Sequence, residues 1–305
     1  MRVLVVNDIV GNRSRGLAAA LQRRGCETVT AALSEIAFDT GSPSGLAIPG
    51  FDDLPDAVLV RSVAAGSFEA ITRRLGVLHA FRALGVLVWN SAQAIERCVD
   101  KSMTTFLLQQ AGLPTPATFA VEGREAAEAV VAREAGPLVL KPLFGAQGRG
   151  IRLINGVEDL PPEEEINGVY YLQRYIQRAG PPFRDYRVFV CAGKALAMMA
   201  RRGDDWITNI NRGATPEGLV SHDSDLERLA LAAARAVGAD FAGVDILHDA
   251  DGRPFVLEVN SMPAWSGLQS VVEIDIADAI AEALLTFLGA RAEKPAMPLP
   301  VSAAY

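Results

Sequence analysis

The 305-residue chain carries 29 lysines and arginines against 36 aspartates and glutamates, a formal net charge of −7, and half of its residues are hydrophobic. That balance excludes wholesale disorder, suggests about two domains, and makes nucleic acid a poor partner, because bulk acidity repels a phosphate backbone. Three scattered cysteines (Cys26, Cys98, Cys191) and three histidines form neither a CxxC knuckle nor an HExxH pair, and no apolar run nears the ~18 residues of a membrane span, so a cytoplasmic protein without zinc chemistry or a membrane partner is expected.

The first ninety residues alternate strand and helix signals. Val3 to Val6 reads as a strand buried on both faces, Arg13 to Arg24 as a helix stopped by Gly25, and Ala57 to Val60 as a second buried strand. Phe68 to Leu84 reads as a helix before Gly85, and Val86 to Trp89 as a strand, which together predict a parallel sheet covered by helices. Leu33 to Pro55, rich in Gly, Pro, Ser and Asp, reads as a loop excursion, and a domain boundary is expected near Ala92 to Val99. Helices follow at Asp100 to Ala111 and Ala126 to Ala135, and strands at Leu138 to Lys141, Ile151 to Ile154, Tyr170 to Ile176 and Tyr186 to Cys191. Leu226 to Val237 reads as a helix closed by Gly238, Asp240 to Asn260 as a hairpin, and Ile276 to Leu288 as a last helix before a Pro-rich tail expected to be disordered from Glu293. The fold class is therefore α/β followed by α+β.

The segment LVLKPLFGAQGRGIRLI, residues 138 to 154, places Gly145, Gly148 and Gly150 between two strand patterns. Glycines let backbone N–H groups converge on an anion. The spacing is G-x-x-G-x-G with β-branched residues after it, not the strand, G-x-G-x-x-G, helix order of a dinucleotide turn. The segment reads as a hairpin flap over phosphates, with Lys141 as a point charge, against the plainer alternative of a Gly-rich turn. The same criterion excludes a nicotinamide-dependent dehydrogenase, because the first strand runs into NDIVGNRS.

GVDILHDADGRPFVLEVNS, residues 243 to 261, is more informative. Asp251-Gly252 is a strong two-residue turn signal. Counting outward from it sets Asp245 directly opposite Glu258 and Gly243 opposite Asn260, with both acidic residues and Asn260 on one face. Val244, Ile246, Phe255, Leu257 and Val259 then share the core face. Opposed carboxylates repel. A hard divalent cation removes that repulsion, and Asp, Glu and Asn oxygens suit Mg²⁺, which also takes phosphates as ligands. A solvated acidic face is the weaker alternative, because Glu258 lies inside an apolar run.

Cations complete the pattern. Lys101 opens a helix, Asp185 and Arg187 share a strand face in RDYRVFV, Arg201 and Arg202 end the next apolar run, and Arg212 lies in TNINRGA. Each alone reads as surface charge. Together with Lys141 and the acidic hairpin they describe a site for a metal-bound polyanion.

These pieces resemble, in order, the ATP-grasp ligases, and within them the RimK-like amino-acid ligases: DKSMTTFLLQQAGLPTP, LVLKPLFGAQGRGI, QRYI, RDYRVFV, NINRG, GVDIL and VLEVNSMPAWSGL. They cover residues 100 to 268. The resemblance implies an ATP-grasp fold with an N-terminal parallel-sheet domain at 1–95, a central subdomain at 96–175, a C-terminal subdomain at 176–290 and a tail at 291–305. It implies that Lys101 and Lys141 contact ATP phosphates under a loop containing Gly145, Gln147, Gly148 and Gly150. Gln173, Arg174, Tyr175 and Ile176 form the adenine hinge, Asp185 lies near the ribose, Arg187 and Arg201 lie near the reacting groups, and Arg212 holds a carboxylate or acyl phosphate. By the same resemblance Asp245, Glu258 and Asn260 would hold two Mg²⁺ ions, for which Mn²⁺ could substitute. Arg174 departs from a frequent Glu, Ile207 stands where some relatives place a phosphate-contacting Arg, and Ala264 replaces a usual Gly; whether Arg201 takes over the role missing at Ile207 is left open.

The implied reaction is ADP-forming amide synthesis through an acyl phosphate, which needs positioning and charge neutralisation but no protein nucleophile. That agrees with the missing GxSxG elbow, for which residues 41 to 45 offer only GSPSG. The VLEVNSMPAWSGLQ segment is most similar to ligases adding glutamate to tetrahydromethanopterin- or methanofuran-type coenzymes. Glutamate ligation to a protein or carrier protein, and a degenerate nucleotide-binding regulatory module, are the alternatives. The partners expected are a small-molecule acid and glutamate, with homo-oligomerisation left open.

Overall fold

The computed structural model describes residues 1–8, 13–145, 148–219 and 223–292. The alternating apolar runs at the start build β1 (Arg2–Asn7), α1 (Arg13–Arg23), β2 (Glu27–Ala31), the two-residue strands β3 (Ala37–Phe38) and β4 (Leu46–Ala47), β5 (Ala57–Ser62), α2 (Phe68–Ala83) and β6 (Leu87–Trp89). The sheet is parallel in the order β2-β1-β5-β6, and β5 is buried along its whole length, as its run of aliphatic residues predicts. β2 escapes the apolar criterion because its threonines alternate with Val29 and Ala31 at a sheet edge. The excursion at 33–55 is folded down rather than looped out: Leu33, Ile36, Leu46 and Ile48 are buried against the sheet.

The expected boundary is helical. α3 (Ala92–Val99) starts at Ser91, whose hydroxyl accepts from Ala94 N, and runs straight to Asp100, whose carboxylate accepts from Ser102 N and Met103 N to cap α4 (Lys101–Gln110). β7 (Thr118–Glu122), α5 (Arg124–Arg133), β8 (Leu138–Lys141), β9 (Arg152–Ile154) and β10 (Val169–Arg174) follow, with an antiparallel sheet ordered β7-β10-β8-β9. β8 and β9 are the two arms of the Gly-rich segment, so a hairpin, not a strand-to-helix turn, carries those glycines.

The last part is β11 (Phe183–Cys191), β12 (Lys194–Gly203), β13 (Thr215–Gly218), α6 (Ser224–Val237), β14 (Phe241–His248), β15 (Pro254–Asn260), α7 (Ser266–Gln269) and α8 (Ile276–Ala292), with an antiparallel sheet in the order β13-β12-β11-β14-β15. α8 runs past the expected Leu288 to Ala292, and the tail from 293 lies outside the described residues. One core joins the first and last sheets: Val3, Val5 and Leu59 cluster with Phe189, Met199, Phe241 and with Ile280 and Leu284 of α8.

The β14–β15 register matches expectation at the site and departs from it near the turn. Gly243 pairs with Asn260, Val244 with Val259 and Asp245 with Glu258, but Ile246 pairs with Val256 across a bulge. The turn is longer than Asp251-Gly252 alone: Asp249 N donates to Arg253 O at 2.9 Å, and the Asp249 carboxylate accepts from Asp251 N and Arg253 N. That longer turn shifts the outer rungs by one residue, and the bulge restores the register. In consequence Val256 is fully buried, while Phe255 and Leu257, expected in the core, are half-buried. Among the described residues no helix is long and apolar enough to cross a membrane.

Candidate active site

β11, β14 and β15 are adjacent strands, so residues on one face of each meet. Arg187 and Asp245 are direct cross-strand partners, as are Asp245 and Glu258. The Arg187 guanidinium grips Asp245 in a two-point fork, Nε to Oδ1 and Nη2 to Oδ2, both 2.7 Å. From β12, Arg201 donates a second fork to Asp185, at 2.7 and 2.6 Å, and its Nη2 lies 3.0 Å from Asp245 Oδ2. The four charges form the chain Arg187–Asp245–Arg201–Asp185. Burial pushes the Asp245 carboxyl up, but Arg187 and Arg201 outweigh it and hold the group down at about 2. Burial likewise opposes the charge on Arg201, and Asp245 and Asp185 outweigh it, raising its pKa. The repulsion expected between Asp245 and Glu258 is thus relieved on one side by arginine.

Beside this chain lie two lysines. Burial lowers Lys141 to about 8, opposed by the charge of Glu258, and also lowers Lys101. Lys141 Nζ donates to Gln173 Oε1 at 2.7 Å, and Gln173 is itself buried on β10 next to β8. Lys101 Nζ donates to Leu143 O and Gly145 O at 3.1 and 2.8 Å, tying the start of α4 to the flap. The flap's far side meets the C-terminal part: Arg212 Nη1 donates to Gly148 O at 3.3 Å, and a Cβ on Gly148 would sit 3.2 Å from both Arg212 Cδ and Ile207 Cγ2. Gly150 has φ +69°, and a Cβ there would lie 2.8 Å from Pro142 Cγ.

Of the residues picked out by sequence, Lys101, Lys141, Gln173, Asp185, Arg187, Arg201, Asp245 and Glu258 are linked by contact, strand pairing or mutual charge. Asn260 lies two residues beyond Glu258, and its Oδ1 accepts from Met262 N at 2.9 Å. Arg212 is half-exposed at the flap with Asp205 as its ion-pair partner. Arg174 points away to Glu134, and Tyr175 edges onto Trp206 at 5.6 Å, with Ile176 next to it half-buried. Asp185, assigned to a ribose by resemblance, has both carboxylate oxygens on Arg201 and is only 5% exposed. Gln147 lies outside the described residues. Sequence reading missed Arg178, which is buried and donates to Arg184 O and Trp206 O, holding the approach to Ile207; in QRAGPPF it reads as an ordinary turn residue. A separate groove of about 590 Å³, lined by residues such as Arg82, Asp240 and Phe287, contains none of these groups.

The donor set fits magnesium. Among the described residues no three His, Cys, Asp or Glu side chains gather into a cage. Two carboxylates and an amide oxygen would need phosphate oxygens to complete a shell, and Mg²⁺ is characteristically held that way.

A flap hairpin and an antiparallel sheet enclosing lysines, arginines and opposed carboxylates define the class as ATP-grasp, and solved structures bear out the fold. The ATP-grasp ligase PsnB, complexed with a phosphomimetic variant of its minimal precursor, Mg and ADP, superposes with a TM-score of 0.72 at 23% identity, over 94% of this chain and 98% of that one. A RimK domain ATP-grasp protein from Sphaerobacter thermophilus gives 0.70 at 22% identity, over 93% and 100%. The RimK-like ATP-grasp domain family matches residues 98–284. The tetrahydromethanopterin:alpha-L-glutamate ligase of Methanococcus maripaludis is 34% identical over 233 residues, covering 72% of this chain and 79% of that protein. A probable alpha-L-glutamate ligase of Haemophilus influenzae is 33% identical over 230 residues, covering 73% and 74%. The chain belongs to the RimK-like ATP-grasp family and is a carboxylate–amine ligase.

Proposed function

We propose that this ligase adds L-glutamate to a small-molecule coenzyme of the tetrahydromethanopterin or methanofuran type. The observation that carries the reading is the facing Asp245–Glu258 pair with Asn260 on the same face and Lys141 beside it, in a chain one-third identical to ligases named for tetrahydromethanopterin and glutamate. We also propose the division into 1–95, 96–175 and 176–290.

The chain's residues would act as follows. Lys101 and Lys141 take the ATP phosphates beneath the flap of Gly145, Gly148 and Gly150, and Gln173 to Ile176 line the adenine. The acceptor carboxylate attacks the γ-phosphorus, giving an acyl phosphate and ADP; the glutamate amine then attacks the acyl carbon, and phosphate leaves. Arg187 faces the phosphoryl oxygens, Arg201, buried between Asp185 and Asp245, acts behind it by holding both carboxylates, and Arg212, at the flap, takes a carboxylate. Two Mg²⁺ ions held by Asp245, Glu258 and Asn260 would supply charge neutralisation at the transferring phosphoryl group.

The test is an ADP-release screen of amino acids against pterin, furan and peptide acids, with product masses. ADP release requiring both glutamate and a pterin or furan acid, with glutamyl adducts, is the expected result. Release only with peptide acceptors, or with another amino acid, would overturn the substrate assignment. Glu258→Gln should lower turnover by several orders of magnitude; near wild-type turnover would remove the hairpin from the metal site.

A further inference from the structure

The β14–β15 ladder ends at Gly243 and Asn260. Beyond that rung the strands need a substitute partner, and it comes from the other end of the chain. Asn90, just past β6, is completely buried. Its Nδ2 donates to Phe241 O at 2.7 Å and to Ser261 O at 2.6 Å, while its Oδ1 accepts from Asp240 N at 2.5 Å and Phe241 N at 3.1 Å. All four hydrogen-bonding capacities of the amide are used, and all four partners are backbone groups at the base of the hairpin. Two carbonyls on one side and two N–H groups on the other also fix which way the amide points.

We infer that Asn90 is a positioning residue for the metal-binding hairpin, acting through Asn260. The inference rests on the assignment of Asp245, Glu258 and Asn260 as metal ligands. Asn90 holds Ser261 O, and the next amide along, Met262 N, donates to Asn260 Oδ1 at 2.9 Å. The ligand oxygen of Asn260 is therefore oriented by a backbone segment that the amide of Asn90 anchors. The same clamp sets the start of β14, four residues before Asp245. A role in bulk packing alone would not need these bonds; the structure gives Asn90 four hydrogen bonds, all to backbone groups of Asp240, Phe241 and Ser261 at the ladder's end. The N-terminal domain touches this segment a second time where the buried Arg61 lies 4.1 Å over the Trp265 ring.

Supporting partners of metal ligands are typically worth about 10–100-fold in metal affinity. The test measures Mn²⁺ binding to the full chain with saturating ADP, by the loss of the free-ion paramagnetic signal, beside ADP affinity without metal. Asn90→Asp fills the same space and can still accept, but cannot donate to Phe241 O and Ser261 O; Asn90→Ser is the second variant should the first not fold. Either should weaken Mn²⁺ binding about 10–100-fold and leave metal-free ADP affinity unchanged. Leu284→Ala, in the shared core, is the control: it should lower the melting temperature with Mn²⁺ affinity intact. Wild-type Mn²⁺ affinity in the Asn90 variants, or an equal loss in Leu284→Ala, would overturn the positioning role alone. Unchanged Mn²⁺ binding in Glu258→Gln would instead overturn the metal assignment beneath it.

Discussion

Asp245 is 8% exposed, and its partners decide the sign of a substitution there. Facing Glu258 alone, an Asp245→Asn change would relieve repulsion and stabilise the protein. The two forked arginines reverse that expectation. Removing the carboxylate's charge leaves Arg187 and Arg201 with less compensation, and breaking a buried pair typically costs about 3–5 kcal/mol. Asp245→Asn should therefore lower the melting temperature in the presence of a chelator, and a rise would show that Glu258 repulsion dominates. Lys141 makes a pH prediction. Burial brings it to about 8, so in the free protein the ammonium is lost as pH rises through that value. A bound phosphate holds the proton, so nucleotide affinity should fall about tenfold per pH unit above 8 until the bound-state pKa is reached. The unfolded chain keeps that proton up to about 10.4, so folding stability gains from this group between the two values. Calorimetric ADP affinity from pH 7 to 10 checks the first point, and Lys141→Met should flatten the profile. A wild-type profile flat through 8 would separate Lys141 from the phosphates.

Elements differ in how far the sequence announces them. The site half of the β14–β15 hairpin was legible because alternation of apolar and polar residues and a face-to-face register follow from a strand's period of two. The bulge was not, because it depends on the Asp249 side chain closing a longer turn than Asp251-Gly252 alone. β12 was visible only as an apolar run ending at Arg201 and Arg202; that Arg201 is buried between two aspartates is a tertiary fact. Likewise the glycines of the flap announce a turn, but not that Lys101 anchors it on one side while Arg212 meets it on the other. Those anchors give the flap its own prediction. A Cβ at Gly150 meets Pro142 at 2.8 Å on a left-handed backbone, so Gly150→Ala should displace the flap, at about 1–2 kcal/mol in the αL penalty alone. Nucleotide affinity should fall; Mg-ATP should slow trypsin cleavage at the exposed Arg149 in the wild type, and that protection should be lost in the variant. Equal protection in the variant would show that the turn does not need its glycine.

At the scale of the whole molecule, the family match and the folding unit have different edges. The RimK-like domain covers residues 98–284, yet one core runs from Val3, Val5, Leu59 and Trp89 through α8 to Phe189, Met199, Phe241 and Leu268. A fragment spanning 96–292 would keep every proposed catalytic side chain but lose β1, α1, β5 and β6. It would also lose Asn90 and the four hydrogen bonds that close the hairpin base. Exposing one large apolar side chain forfeits about 1.5–3 kcal/mol, and the entire stability of a typical domain is about 5–15 kcal/mol. Phe189, Met199, Phe241, Leu268 and the inner face of α8 together exceed what such a fragment can lose. The fragment should therefore bind a hydrophobic dye strongly and melt without a cooperative transition, and the full chain should show a single transition reported alike by near-ultraviolet and far-ultraviolet circular dichroism. A soluble fragment with a sharp melt of its own would show instead that the ATP-grasp part closes its core alone, leaving the parallel sheet as a separable attachment.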